Sequence, residues 1–357
     1  MACGSPAPTA TAANIQWTDI RELGIEGQGW RETKAPYDRL PARAENQVRE
    51  PVWRLSRHSA GMHVRFVTDA TSIQAHWALT STNLAMTHMA ATGVSGLDLY
   101  VKTEKGDWRW LAVGRPGNQT NVAALITNLP PGRREYLLYL PLYNGTQFVE
   151  IGVPAGASMT KAGPWGPGRR KPILFYGTSI LHGACASRPG MVHSAILGRR
   201  FQFPHLNLGF SGNGKMEPEL ADLLAELDPS VYVLDCLPNM VAAEVTERVE
   251  PFVKKLRAAH PRTPIVLVED RTYADSFLVS AKRQRNENSR AALRAAYERL
   301  QKSGVKDLSY VKGADLLGDD GEATVDSSHP NDLGFMRQAD ALAKVLGPQL
   351  NKAMKER

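Results

Sequence analysis

Cysteine is scarce in this 357-residue chain: Cys3, Cys185 and Cys236 are the full set, with no C-x-x-C pair and no Cys/His cluster at zinc-ligand spacing. A disulfide framework and a structural zinc module are thereby excluded, and an odd count leaves at least one thiol unpaired. Small buried core residues are the reading for Cys185 and Cys236. No stretch stays apolar for the roughly 20 residues that a membrane helix needs. Runs of five or six like charges and Lys/Arg arrays interleaved with aromatics are missing too. The net charge of +7, from 43 basic and 36 acidic residues, therefore reads as a mixed solvated surface and not as a nucleic-acid footprint. The leading MACGSPAPTATAAN lacks the apolar core of a signal peptide and reads as a flexible tail over residues 1–13. Cys3-Gly4-Ser5 has the form of a lipidated cysteine followed by small residues, which points to a periplasmic or lipoprotein-anchored location; an ordinary terminus of a cytoplasmic protein is the alternative. No oligomeric state is read from the sequence.

What is present suits two domains, since a single core rarely grows beyond roughly 250 to 300 residues. Between 161 and 171 the chain runs KAGPWGPGRRK, and its Gly and Pro interrupt helix and strand alike. Before this linker, over 14–160, short segments rich in Val, Ile, Tyr, Trp and Thr recur between turn residues: MHVRFVTD, SIQAHWAL, LDLYVKT, DWRWLAVG, REYLLYLPL and FVEIGVP. That spacing predicts an all-β sandwich or jelly roll. Its Trp53, Trp77, Trp108, Trp110 and Tyr100 either fill the core or stack on sugar rings, with core filling the default. After the linker, over 172–357, apolar strands (PILFYG, HLNLGF, VYVLDC, PIVLVED, LSYVKG) alternate with longer amphipathic segments. The alternation predicts a flavodoxin-like, doubly wound α/β domain with five parallel strands and helices on both faces. In such a domain the loops leaving the carboxyl ends of the strands converge on one crevice, where ligands bind.

Four of those loops carry candidate chemistry. In FYGTSILHGACASRPG, Ser179 stands where a helix can start, so its hydroxyl faces the crevice with helix amides beneath it. In GFSGNGKMEPEL, Gly212 can present a bare backbone N–H to a ligand. DCLPNMV places Asn239, a neutral amide donor, in the same crevice. VDSSHPNDLGF sets Asp326 three residues ahead of His329, a spacing that lets a carboxylate fix an imidazole tautomer. Any one of these is also an ordinary cap or turn; the order of all four along one sheet is what carries the argument. His182, one turn past Ser179, and Arg271, at the end of the fourth strand, are further candidates for substrate contact. The alternatives are a buried polar residue for His182 and an internal ion pair for Arg271. His58, His63, His76, His88, His193, His205 and His260 share no spacing and read as structural.

The order Ser, Gly, Asn, His resembles the four blocks of the SGNH or GDSL hydrolase superfamily. GTSI with CASRPG, NLGFSGNGKMEPEL, DCLPNM and DSSHPND are similar to a bacterial branch of GDSL-like esterases whose N-terminal domain carries a GxDLY motif, here GLDLY at 96–100. The resemblance spans about residues 20–350. It implies Ser179 as nucleophile, His329 as base and Asp326 as its partner, with the Ser179 and Gly212 amides and the Asn239 side chain as an oxyanion hole. No metal or organic cofactor is implied. The sequence departs from the pattern at Thr178, where Asp is usual, and in L-P-N-M for G-x-N-D. The expected activity is hydrolysis of small acyl esters, acetyl foremost, on an acylated glycan. The alternatives are an acylhydrolase of lipidic or small-molecule esters, and a glycan-binding protein with a vestigial hydrolase domain. For Asp98 of GLDLY an interface or structural role is the default.

Overall fold

The computed structural model describes residues 14–355, so Cys3 and its tether lie outside the described residues. The first ten strands are β1 (Ile15–Asp19), β2 (Ile25–Glu26), β3 (His63–Thr68), β4 (Ile73–Leu79), β5 (Leu97–Lys102), β6 (Trp108–Gly114), β7 (Thr120–Ile126), β8 (Arg134–Tyr139), β9 (Thr146–Pro154) and β10 (Met159–Lys161). They form two antiparallel sheets, ordered β1-β9-β4-β7 and β10-β3-β8-β5-β6, with β2 beside β3. Period-two alternation turns Ile73, Ala75 and Trp77 of β4, with Val149, Ile151 and Val153 of β9, toward Val64, Phe66, Leu97, Leu99 and Leu138 of the facing sheet. The outer face of the second sheet is buried as well. Tyr100, Leu137 and Tyr139 pack there on Ala195 of the helix His193–Phe201 in the second domain.

That second domain is built on β11 (Ile173–Gly177), β12 (His205–Gly209), β13 (Val231–Asp235), β14 (Ile265–Val268) and β15 (Leu308–Val311). All pairings are parallel, in the order β12-β11-β13-β14-β15. Both faces are covered, so the strands read as continuous apolar runs. Leu174, Tyr176, Leu234 and Leu267 meet the helices Pro218–Ala225, Ala242–Ala259 and Ser280–Lys302. Phe175, Val233, Val266 and Val268 meet His193–Phe201 and Asp332–Lys355 on the other side.

One part of the N-terminal region departs from the sandwich expected there. Trp30, Leu40, Val48, Val52, Trp53 and Leu55 belong to the core of the α/β domain, not to that between the antiparallel sheets. Arg39 in this segment is buried and donates to the carbonyls of Leu55 (2.6 Å), His58 (2.9 Å), Asn207 (3.1 Å) and Gly209 (2.7 Å). Without a carboxylate partner, burial pulls its guanidinium pKa down to about 9. The N-terminal segment is thus strapped to the end of β12, where the Gly212 loop begins.

Candidate active site

The carboxyl ends of β11, β12 and β13 lie in register, with Gly177 paired to both Gly209 and Asp235. The loops leaving them, together with the loop before the last helix, bring the candidates together. Ser179 Oγ lies 2.9 Å from His329 Nε2, and His329 Nδ1 lies 2.7 Å from Asp326 Oδ2. The other carboxylate oxygen accepts the backbone N–H of His329 (2.7 Å) and of Ser328 (3.1 Å). Burial pushes the Asp326 pKa up, but these amides and the imidazole outweigh it and hold the carboxyl below its ordinary value. Asp326 therefore stays an anion that keeps Nδ1 protonated and leaves Nε2 as the acceptor facing Ser179. The loop is anchored by Ser327, whose backbone sits at φ 75° and whose hydroxyl donates to Asp275.

The second and third loops are tied to each other. Gly212 adopts φ 69°, is exposed, and has open space where a Cβ would stand. Gly214, at φ 70°, could not carry a side chain, because a Cβ would lie 2.0 Å from the Gly177 carbonyl oxygen. The Asn239 amide donates to the Asn213 carbonyl between these two glycines at 2.7 Å. Among the described residues, neither the Ser179 nor the Gly212 backbone N–H has an acceptor, so both are free for an anion. Arg285 supports the Asn239 loop by donating to the Pro238 carbonyl (2.7 Å) while pairing with Asp270 (2.8 Å).

Two candidates are corrected. Arg271 does not face a substrate: it is buried in a bidentate pair with Asp235 and donates to Gln338 Oε1. His182 is fully buried, stacked on Tyr143 at 4.1 Å, with its Nε2 2.8 Å from the Leu142 carbonyl. It pins the Ser179 helical turn to the β-sandwich. Burial, with Arg39 nearby, holds its pKa far below the ordinary histidine value. Cys185 carries no nucleophilic role, since burial and the nearby Asp326 push its thiol up to about 12. Thr178, in the place of the usual Asp, has a buried hydroxyl with no partner.

Other residues around the site had no signal in the sequence. Tyr143 donates from its hydroxyl to the Ser179 carbonyl (3.2 Å), and Arg49 bonds Asn213 Oδ1 (2.6 Å) and Glu217 (2.7 Å) beneath the glycine loop. His88, exposed on the β-sandwich, lies with its ring 5.9 Å from that of His329. All three come from the N-terminal half, more than 30 residues from what they touch, so no local spacing could reveal them. Asp98 of GLDLY is buried at the seam between the domains. It accepts from the Gly190 N–H (2.8 Å), Arg188 (2.9 Å) and Trp110 Nε1 (2.9 Å). Gly190 has to be glycine, because a Cβ would lie 2.5 Å from the Tyr100 ring.

Comparison with known proteins bears on the family and the fold. Residues 170–347 match the GDSL-like lipase/acylhydrolase family, and residues 15–159 match the GxDLY family, described as the N-terminus of SGNH hydrolase-type esterases. A protein of Bacteroides ovatus ATCC 8483, described as a GDSL-like lipase, is 36% identical, with a TM-score of 0.88 over 96% of this chain and 98% of its own. A salicylyl-acyltransferase from a tetracycline biosynthetic pathway shares the fold at 19% identity and TM-score 0.71, over 95% of this chain and 98% of its own. So does a family two carbohydrate esterase from Clostridium thermocellum, solved with cellohexaose, at 14% identity and TM-score 0.60, over 82% of this chain and 93% of its own. No curated protein matches the sequence. With both halves matched in order and a relative this similar along its whole length, the chain belongs to the GDSL-like lipase/acylhydrolase family.

Proposed function

We propose that this protein is a serine esterase that removes small acyl groups, acetyl foremost, from a carbohydrate. The observation that carries the chemistry is the unbroken relay from Ser179 Oγ to His329 Nε2 (2.9 Å) and from His329 Nδ1 to Asp326 (2.7 Å). His329 takes the Ser179 proton as Oγ attacks the ester carbonyl, and Asp326 stabilises the imidazolium that forms. The negative charge on the tetrahedral oxygen falls to the free N–H groups of Ser179 and Gly212 and to the Asn239 amide. His329 then protonates the departing alcohol. In the second half, water loses a proton to the same imidazole, attacks the acyl-enzyme and releases the acid.

The choice of a carbohydrate ester is supported by fold relatives described as a family two carbohydrate esterase and as an acetyl xylan esterase. A lipidic ester is the second reading, and a specific surface favours it. Phe277 and Leu278 are 74% and 78% exposed, beside a cavity of about 320 Å³ that is lined by Tyr273, Phe277, Leu317 and Thr324 next to the Asp326 loop. Acetate release from a panel of acetylated polysaccharides, set against p-nitrophenyl esters of increasing chain length, separates the two. Each buried methylene contributes about 0.8 kcal/mol, so kcat/KM that climbs steeply to chains of about eight carbons replaces the acetyl reading. Ser179→Ala should lower kcat by about 10⁵ to 10⁶ on any of these substrates, and wild-type turnover by that variant removes the esterase assignment.

A further inference from the structure

We propose that His88, Asp326 and His329 form a Zn²⁺ site through which the metal reversibly inhibits the enzyme. One ligand atom from each of the three side chains can be chosen so that all lie within 4.8 Å of one another. Two imidazoles and a carboxylate are the nitrogen and oxygen set that zinc takes, and three protein ligands leave a fourth position for water. Zinc bonds of about 2.0 to 2.2 Å place tetrahedral ligand atoms roughly 3.4 Å apart, so the widest separation has to contract by up to about 1.4 Å. His88 can supply that movement: it is exposed and stands in the connection between β4 and β5, while Asp326 and His329 are already joined. Asp326 is held as an anion by the amides of Ser328 and His329, and so is ready to ligate without first losing a proton.

Inhibition follows from the geometry of His329, because both ring nitrogens are engaged in the relay. A cation on Nδ1 replaces the Asp326 contact that sets the tautomer. A cation on Nε2 occupies the lone pair that must accept the Ser179 proton. Either way the nucleophile loses its base: zinc on Nδ1 displaces the proton held there, which passes through solvent to Nε2, whereas zinc on Nε2 takes the free lone pair and moves no proton. The third ligand comes from the β-sandwich, so a bound zinc would also tie the two domains together across the mouth of the site.

The inhibitory consequence rests on the esterase reading above, whereas the binding itself does not. The test is therefore a calorimetric titration of the full chain with ZnCl₂ in a non-chelating buffer, alongside p-nitrophenyl acetate hydrolysis, for wild type, His88→Ala and His88→Gln. Each protein's zinc-free rate is its own reference. The expected result is one zinc per wild-type chain, with loss of hydrolysis tracking occupancy and restored by EDTA. Loss of an outer-sphere partner alone costs 10- to 100-fold in metal affinity, so both His88 variants should need at least about tenfold more zinc in both measurements. Equal zinc binding by wild type and the variants, or no binding by wild type, overturns the site and leaves the triad reading intact. Binding that depends on His88 but leaves hydrolysis untouched overturns the inhibition, and the triad reading with it.

Discussion

Asn239 spends one of its two amide protons on the Asn213 carbonyl, which leaves a second for another acceptor. The contact makes the side chain a brace for the glycine loop, and in the proposed reaction its second proton is the donor to developing charge. Asn239→Ala should therefore lower kcat by about 10² to 10³, the usual cost of one oxyanion donor, while Asn239→Asp, which cannot donate, should do no better. Steady-state kinetics on p-nitrophenyl acetate measure both, and unchanged kcat in either would remove Asn239 from the reaction. Asp326 acts one bond further away, by fixing the tautomer of His329. Asp326→Asn keeps the shape but lets the amide favour the wrong tautomer, and in a buried triad that costs about 10⁴ in kcat. Asp326 is only partly buried, at 39% side-chain exposure, and water can replace some of its effect, so a loss of about 10² to 10⁴ is expected. Because its pKa lies below the ordinary carboxylate value, the Asp326 carboxylate stays charged well into the acid range.

Between elements, single polar side chains hold the loops that hold the site. Arg39 satisfies four carbonyls, two of them at the end of β12, and Arg39→Ala would leave three of them buried and unpaired, since Leu55 also accepts from the His58 N–H. At roughly 1 kcal/mol or more for each orphaned group, the variant should lose at least about 3 kcal/mol in a urea titration, and Arg39→Lys should recover little, since an ammonium cannot span the four acceptors. Asp98→Ala strips the partner from the Gly190 amide, Arg188 and Trp110 together, and a loss of about 2 to 4 kcal/mol is expected by the same measurement. These contacts also show where the sequence could and could not be read. The strands from β11 to β15 and the helices between them follow from local periodicity, and the meeting of the four candidate loops follows from their place around the ends of those strands. Arg39 reaches Asn207 and Gly209, and Asp98 reaches Arg188 and Gly190, at least 90 positions away, so no window of sequence contains these partners together. Trp30 to Leu55 are misassigned to the β-sandwich for a related reason: their apolar residues announce burial but not against which sheet. His182 and Arg271 fall at the right positions in the chain, yet packing turns them away from the crevice, and chain position carries no information on side-chain direction.

At the scale of the whole molecule, neutral imidazoles are built into the interior. His205, on β12, stacks on His63 of β3 at 5.0 Å across the domain seam, and neither of its ring nitrogens has a partner. His193 is buried between Phe175 and Phe335, and His182 lies under Tyr143. Burial lowers all three pKa values, His193 to about 3 and the others well below the ordinary value; Arg271 adds to this for His193, Arg39 and His58 for His182, and His63 and Arg199 for His205. The Asp235 carboxylate pulls His193 the other way but does not prevail. In the unfolded chain each of these groups takes up a proton near pH 6.5, while the folded protein refuses it. The unfolded state then binds more protons, so stability is constant in these groups above about pH 7 and falls as pH drops through 6.5. His58, which burial and the nearby Arg39 lower to about 3, adds a fourth such group, so at about 1.4 kcal/mol per pH unit for each histidine the slope is roughly 5 to 6 kcal/mol per unit. Urea titrations from pH 8 to pH 5 should show a plateau and then a steep acid arm. His205→Leu removes one of the four and discards two unpaired nitrogens, so its stability at pH 8 should match or exceed that of wild type while its acid arm is shallower by about a quarter. An arm of unchanged slope would mean that His205 already carries its proton in the folded protein, and that the seam between the domains holds a charge and not a neutral stack.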